Sequence, residues 1–86
     1  LEAYPNPFRF KTEIAFSIGQ GAKSARLNIY DVSGRLVRHF TINDSRLTDV
    51  VWDGRDESGR KVGCGVYFLR FEAGDYQKTK KLLRVQ

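Results

Sequence analysis

Cysteine is almost missing from this chain: Cys64 stands alone among 86 residues. That excludes an internal disulfide framework and any metal site built on several thiolates. No apolar run approaches the ~20 residues of a transmembrane helix, and no segment carries an apolar stripe at helical spacing. No charged-then-apolar leader opens the chain, which starts at Leu1 rather than Met; it is therefore expected to be a segment of a longer protein. The lone histidine, His39, and the lone cysteine sit in no local signature of a nucleophile and its base. Acidic residues are the minority, ten against fifteen Lys and Arg, which leaves a net charge of +5. Residues 70–86 hold Arg70, Lys78, Lys80, Lys81 and Arg84 against only Glu72 and Asp75. Such a run can attract nucleic acid, anionic lipid or an acidic protein. Its plainer reading is a charged edge strand that discourages sheet-to-sheet association.

What is present is aromatic and β-branched. Trp52, six phenylalanines and four tyrosines must supply most of a thin core, because a chain this short buries only roughly 60–65% of the surface it exposes when unfolded. The dominant period is two. Ile14, Phe16 and Ile18 alternate with Glu13, Ala15 and Ser17, and Leu27 and Ile29 alternate with Arg26 and Asn28. Leu36, Phe40 and Ile42 are expected to share one face of a further strand, with Val37 blurring the pattern. Val50 and Trp52 anchor another. From Val66 to Phe71 the inward set is expected to be Tyr67, Leu69 and Phe71. Leu82–Val85 closes the chain with an ambiguous inward set, and Tyr4–Phe8 is expected to form the first strand, held open by Pro5 and Pro7.

Turn signals separate these runs. Gly19-Gln20-Gly21, Asn43-Asp44-Ser45 and Glu72-Ala73-Gly74-Asp75 are polar or glycine-rich breaks, and Asp31-Val32-Ser33-Gly34 reads as a tight turn ending in a left-handed glycine. This last turn has an echo. Asp31-Val32-Ser33-Gly34-Arg35-Leu36-Val37 and Asp56-Glu57-Ser58-Gly59-Arg60-Lys61-Val62 both read Asp-x-Ser-Gly-Arg-x-Val. The simplest account is one turn solution used twice, an Asp accepting backbone hydrogen bonds beside a Gly at positive φ. The pattern as a whole predicts an all-β, immunoglobulin-like antiparallel β-sandwich of about seven strands, in one domain over residues 1–86.

No constellation points to chemistry. Cys64, between Gly63 and Gly65 at a strand entry, reads as small buried filler. Asp53-Gly54-Arg55-Asp56-Glu57-Ser58-Gly59 has the acidic and glycine content of a calcium loop but not the spacing, and Arg55 sits among the would-be ligands, so no metal is assigned. Asn43-Asp44-Ser45 fits a glycosylation acceptor and supports exposure only. Tyr67-Phe68-Leu69-Arg70-Phe71 interleaves aromatic and basic residues as single-strand nucleic-acid binders do, yet in so small a domain these aromatics are needed for the core. No catalytic residue, cofactor or nucleic-acid partner is therefore expected.

Five motifs in order carry a family resemblance: Tyr4-Pro5-Asn6-Pro7-Phe8; Ile29 to Val37; Val51-Trp52-Asp53-Gly54-Arg55-Asp56-Glu57-Ser58-Gly59; Gly65-Val66-Tyr67-Phe68; and Lys80-Lys81-Leu82-Leu83-Arg84-Val85. This succession resembles the C-terminal sorting domain of proteins exported by the bacterial type IX secretion system, and the related immunoglobulin-like domain of flagellar hook-capping proteins. The resemblance implies a non-catalytic domain at the C-terminus of a larger secreted protein, with Gln86 as a natural end. It implies passage through the periplasm to the cell surface, recognition by outer-membrane secretion machinery, and removal by a surface sortase. The alternative is a structural hook-cap or adhesive module that stays on its parent. Arg9-Phe10-Lys11 and Cys64 depart from the family, which repeats Asn-Pro after the first motif and places a serine at the second position. Pro5, Asn6, Pro7, Trp52, Asp53 and Tyr67 are expected to be architectural, as are Gly34, Gly54, Gly59 and Gly65 at turns or close approaches. Lys78, Lys80, Lys81 and Arg84 are the candidates for recognition.

Overall fold

Alternate burial along short extended stretches divides this molecule into two layers. The computed structural model describes residues 1–18, 24–43 and 48–86. Its strands are β1 (Glu2–Tyr4), β2 (Thr12–Ala15), β3 (Ala25–Tyr30), β4 (Leu36–Ile42), β5 (Asp49–Trp52), β6 (Gly65–Ala73) and β7 (Tyr76–Arg84). They pair antiparallel in a three-stranded sheet ordered β1-β2-β5 and a four-stranded sheet ordered β4-β3-β6-β7. No helix occurs among the described residues. The fold is the all-β sandwich that the period-two pattern requires.

The facing layers bury Ile14 and Phe16 from one sheet against Leu27, Ile29, Tyr67, Leu69, Phe71 and Leu82 from the other. Trp52 is wholly buried between Phe8 and Tyr67, with both ring centroids 5.4 Å from its own. Its indole N–H donates to the Arg55 carbonyl at 2.9 Å, so the ring brings no unpaired polar group into the core. Phe16 stacks on Phe71 at 5.4 Å. The ambiguity in the last strand resolves with Leu82 inward, while Leu83 and Val85 are half-buried.

Several expectations are corrected. Leu36 is 47% exposed and Val37 is buried instead. The cause is a bulge: Ile29 pairs with Arg38 but Tyr30 pairs with Leu36, so one extra residue on β4 shifts its alternation. The first strand runs over Glu2–Tyr4 rather than Tyr4–Phe8, because Pro5 and Pro7 bring no backbone donor to a ladder, and only Phe8 rejoins one, in a parallel bridge to Arg84; the Tyr4-Pro5 and Asn6-Pro7 peptides are both cis. Ile18 lies beyond β2 and is only partly buried. Cys64 is exposed rather than filler. Gly19-Gln20-Gly21 and Asp44-Ser45 lie outside the described residues.

The repeated heptapeptide folds the same way twice. Asp31 Oδ1 accepts from Ser33 N at 2.9 Å, Ser33 Oγ at 2.6 Å and Arg35 N at 3.0 Å. Asp56 Oδ1 accepts from Ser58 N at 2.9 Å, Ser58 Oγ at 2.7 Å and Arg60 N at 3.0 Å. Gly34 and Gly59 sit at φ of 86° and 87°, where a Cβ is penalised. The serine hydroxyls, followed by the backbone donors, hold both aspartates below the ordinary carboxylate value of 3.8. A carboxylate whose folded value is depressed contributes stability above the unfolded value and loses it as pH falls through the folded one. Glu13 has the opposite sign: its hydrogen bond with Asp49 raises it above 4.5, so its protonation favours the fold as pH falls. Acid titration followed by circular dichroism is therefore expected to show stability lost progressively as pH falls through and below the ordinary aspartate value of 3.8, and Asp31→Ala or Asp56→Ala should each flatten that fall. An unchanged slope in both variants would contradict this.

Candidate recognition surface

The proposed recognition residues all lie on β7, an edge strand, but the register separates them. Lys78 stands opposite Phe71, Lys80 opposite Leu69 and Arg84 opposite Gly65, so these three project on the inward side. Lys81 stands opposite Phe68 on the outer face. They do not form one basic face. Inward-pointing charge on an edge strand is a known device against sheet-to-sheet pairing. Lys80 Nζ lies 3.4 Å from Glu2 Oε2 on β1, whereas Lys78 and Lys81 are exposed.

Arg84 has a different environment. It is half-buried, and its guanidinium lies over Gly54 so closely that a Cβ there would stand 3.0 Å from Nε. Gly54, at φ +74°, is demanded by its backbone conformation, and a Cβ there would also press on the Arg84 side chain. Among the described residues Arg84 Nε is buried without a hydrogen-bond partner, and Nη1 reaches Cys64 Sγ at 3.4 Å. Asp53 accepts from Arg55 N at 3.1 Å, and Arg55 Nη1 donates to the Gly59 carbonyl at 2.9 Å, so the acidic loop is tied to itself. Among the described residues no group of three or more His, Cys, Asp and Glu is placed to hold a metal. His39 bonds Asn28 and Thr41 through its ring and does not meet Cys64.

The Pro-Asn-Pro segment has a role that pattern reading missed. Asn6 Nδ2 donates to the Lys81 carbonyl at 3.0 Å, and Asn6 Oδ1 accepts from Leu83 N at 3.0 Å. Phe8 continues the series, donating to the Leu83 carbonyl at 2.9 Å and accepting from Val85 N at 2.8 Å. The carboxamide therefore substitutes for a peptide group and closes the free edge of β7 along residues 81–85. Thr12, fully buried, donates to the Pro5 carbonyl at 2.7 Å and fixes the segment from beneath. The signal in the sequence is an amide side chain between two prolines, which remove the backbone donors a real strand would use. At the other edge of the sheet Glu57 does similar work: its N–H donates to the Val37 carbonyl at 3.0 Å, and its carboxylate accepts from His39 N.

The outer face of the four-stranded sheet splits in two. Towards one end Arg26 and Arg70 both pair with Glu72 at 3.2 Å. Towards the other, Leu36, Tyr30, Phe68 and Lys81 form one row across β4, β3, β6 and β7, with Val66 and Leu83 beside it. Leu36 is 47% and Phe68 37% exposed.

Comparisons agree with this geometry. None of the curated proteins it was compared with matches in sequence. Among solved structures, PorZ, an essential surface component of the type IX secretion system of Porphyromonas gingivalis, superposes with a TM-score of 0.74 at 26% identity over 99% of this chain and 11% of that one. Latent dimeric PorU from the same organism gives 0.79 at 25% identity over 98% and 9%. FlgD from P. aeruginosa gives 0.57 at 25% identity over 86% and 56%. The chain thus spans about a tenth of the secretion-system proteins it matches. The model of the secretion system C-terminal sorting domain matches residues 2–86, and the chain belongs to that family.

Proposed function

We propose that this sandwich is an address label without catalytic or cofactor chemistry. It forms one domain at the C-terminal end of a larger exported protein and is read by the outer-membrane type IX secretion machinery. Its parent passes through the periplasm to the cell surface, where a sortase cuts just upstream of the sandwich. The match to the sorting-domain family over residues 2–86 is the observation that carries this reading. The architecture suits it, because Trp52 and its neighbours fill the interior and leave the exterior for a partner to read.

Lys78, Lys80, Lys81 and Arg84 are proposed as contributors to recognition. A reporter fused to this chain, with all four changed to Gln, is expected to lose surface export by at least about tenfold, or roughly 1.4 kcal/mol of recognition. The triple variant that retains Arg84 separates recognition from the packing of Arg84 on Gly54. Normal export of both would remove these residues from the account.

The likeness to FlgD favours a second reading, a structural module that remains on its parent. Mass spectrometry of the mature parent distinguishes the two. A surface-retained parent still carrying residues 1–86 favours the structural role.

A further inference from the structure

From the divided outer face of the β4-β3-β6-β7 sheet, we infer that the row Leu36–Tyr30–Phe68–Lys81 with Val66 and Leu83 is the docking surface for an acidic, apolar-centred protein surface on the secretion machinery. The inference rests on the sorting reading above and adds where the contact is made. Four observations support it. Leu36, Tyr30 and Phe68 cross β4, β3 and β6 at one level, with Val66 and Leu83 beside them and Lys81 ending the row on β7, and Leu36 and Phe68 stay exposed as neighbours on one face. The opposite end of the same face is closed by its own ion pairs, Arg26–Glu72 and Arg70–Glu72, so the two ends differ in kind.

Charge decides the class of partner. The outer-face positions of the four strands carry Arg26, Arg70 and Lys81 against the single carboxylate of Glu72. Glu72 already serves both arginines, while Lys81 stands exposed at the end of the apolar row. A second copy of this chain would bring like charge to like charge, whereas an apolar surface rimmed by carboxylates would meet both halves of the requirement.

Geometry speaks against the parent protein as the occupant. Glu2 lies beside Lys80 in the opposite layer, and from there the chain runs parallel to β7 towards Arg84. Chain joined ahead of Leu1 therefore comes in level with the middle of β7, from the direction of its Tyr76 end, and on the other side of the sheet from the Leu36–Tyr30–Phe68 row.

The test is export of a reporter fused to this chain, in a bacterium with type IX machinery. Phe68→Glu and Lys81→Glu are expected to lower surface export at least about tenfold, the scale of a residue central to an interface. Thr41→Glu, on the polar end of the same face, should leave it unchanged. Thermal unfolding of each purified variant checks the fold. A photoreactive residue at position 68 of the otherwise unaltered domain, expected to capture a separate outer-membrane polypeptide, keeps the question open to an answer if Phe68→Glu unfolds. Normal export of the folded Phe68→Glu variant overturns the inference, as does capture of only the parent or a second copy. An unaltered fusion left in the periplasm is a different failure: it would sink the sorting reading, and this partner with it.

Discussion

Trp52→Ala is expected to unfold the domain at ordinary temperatures. The indole is wholly buried between the rings of Phe8 and Tyr67, and those two side chains belong to different parts of the fold, one to the segment that closes the edge and one to β6. Truncation of a buried tryptophan costs ~3–5 kcal/mol, as lost transfer energy plus an unfilled cavity. A small domain has little more stability than that to lose, on the order of 5 kcal/mol. It would also leave the Arg55 carbonyl without its donor. Urea unfolding followed by circular dichroism checks this, and a variant as stable as the parent domain would show that the core is not centred on Trp52.

Asn6→Ala is the second large effect. It removes the two hydrogen bonds to Lys81 and Leu83 that stand in for a ladder. Leaving their backbone groups unmatched beside a closed segment costs ~1–3 kcal/mol. The variant has a second symptom that simple destabilisation lacks. With residues 81–83 uncovered, β7 presents free backbone groups on its outer edge, and concentration-dependent association is expected well below the unfolding midpoint. Light scattering across a concentration series reads it. Asn6→Gln, which keeps the amide but displaces it, should restore little of either property. A monomeric, fully stable Asn6→Ala protein would mean the carboxamide is incidental.

How much was legible in advance depended on which physical signal each feature leaves. Alternation reports the two-layer architecture directly, since Ile14, Leu27, Ile29, Leu69 and Phe71 can be buried together only if their neighbours face out. The doubled Asp-x-Ser-Gly-Arg turns were equally legible, because an Asx geometry with a left-handed glycine needs no distant partner. Features made by partners far apart in the chain were not. The bulge that turns Val37 inward is decided by what β3 offers across the ladder, and the sequence of β4 alone reads as Leu36 inward. Asn6 meets Lys81 across 75 positions, and no local rule connects them. Arg84 reads as one more exposed cation because its place over Gly54 depends on a loop thirty residues upstream. The separation of Lys81 from Lys78, Lys80 and Arg84 is the opposite case: period two contained it, but only the register with β6 says which face is which.

The bridge between Phe8 and the final strand has a mechanical side. Because the two segments run parallel, tugging the incoming chain one way and the outgoing end the other loads their contacts in shear. The bonds at Asn6 and Phe8 then share the strain together instead of opening one after another. Rupture under such a load is governed by the rate of crossing a barrier rather than by equilibrium stability. A domain gripped at one terminus and dragged through a confined passage would be held shut by this clamp.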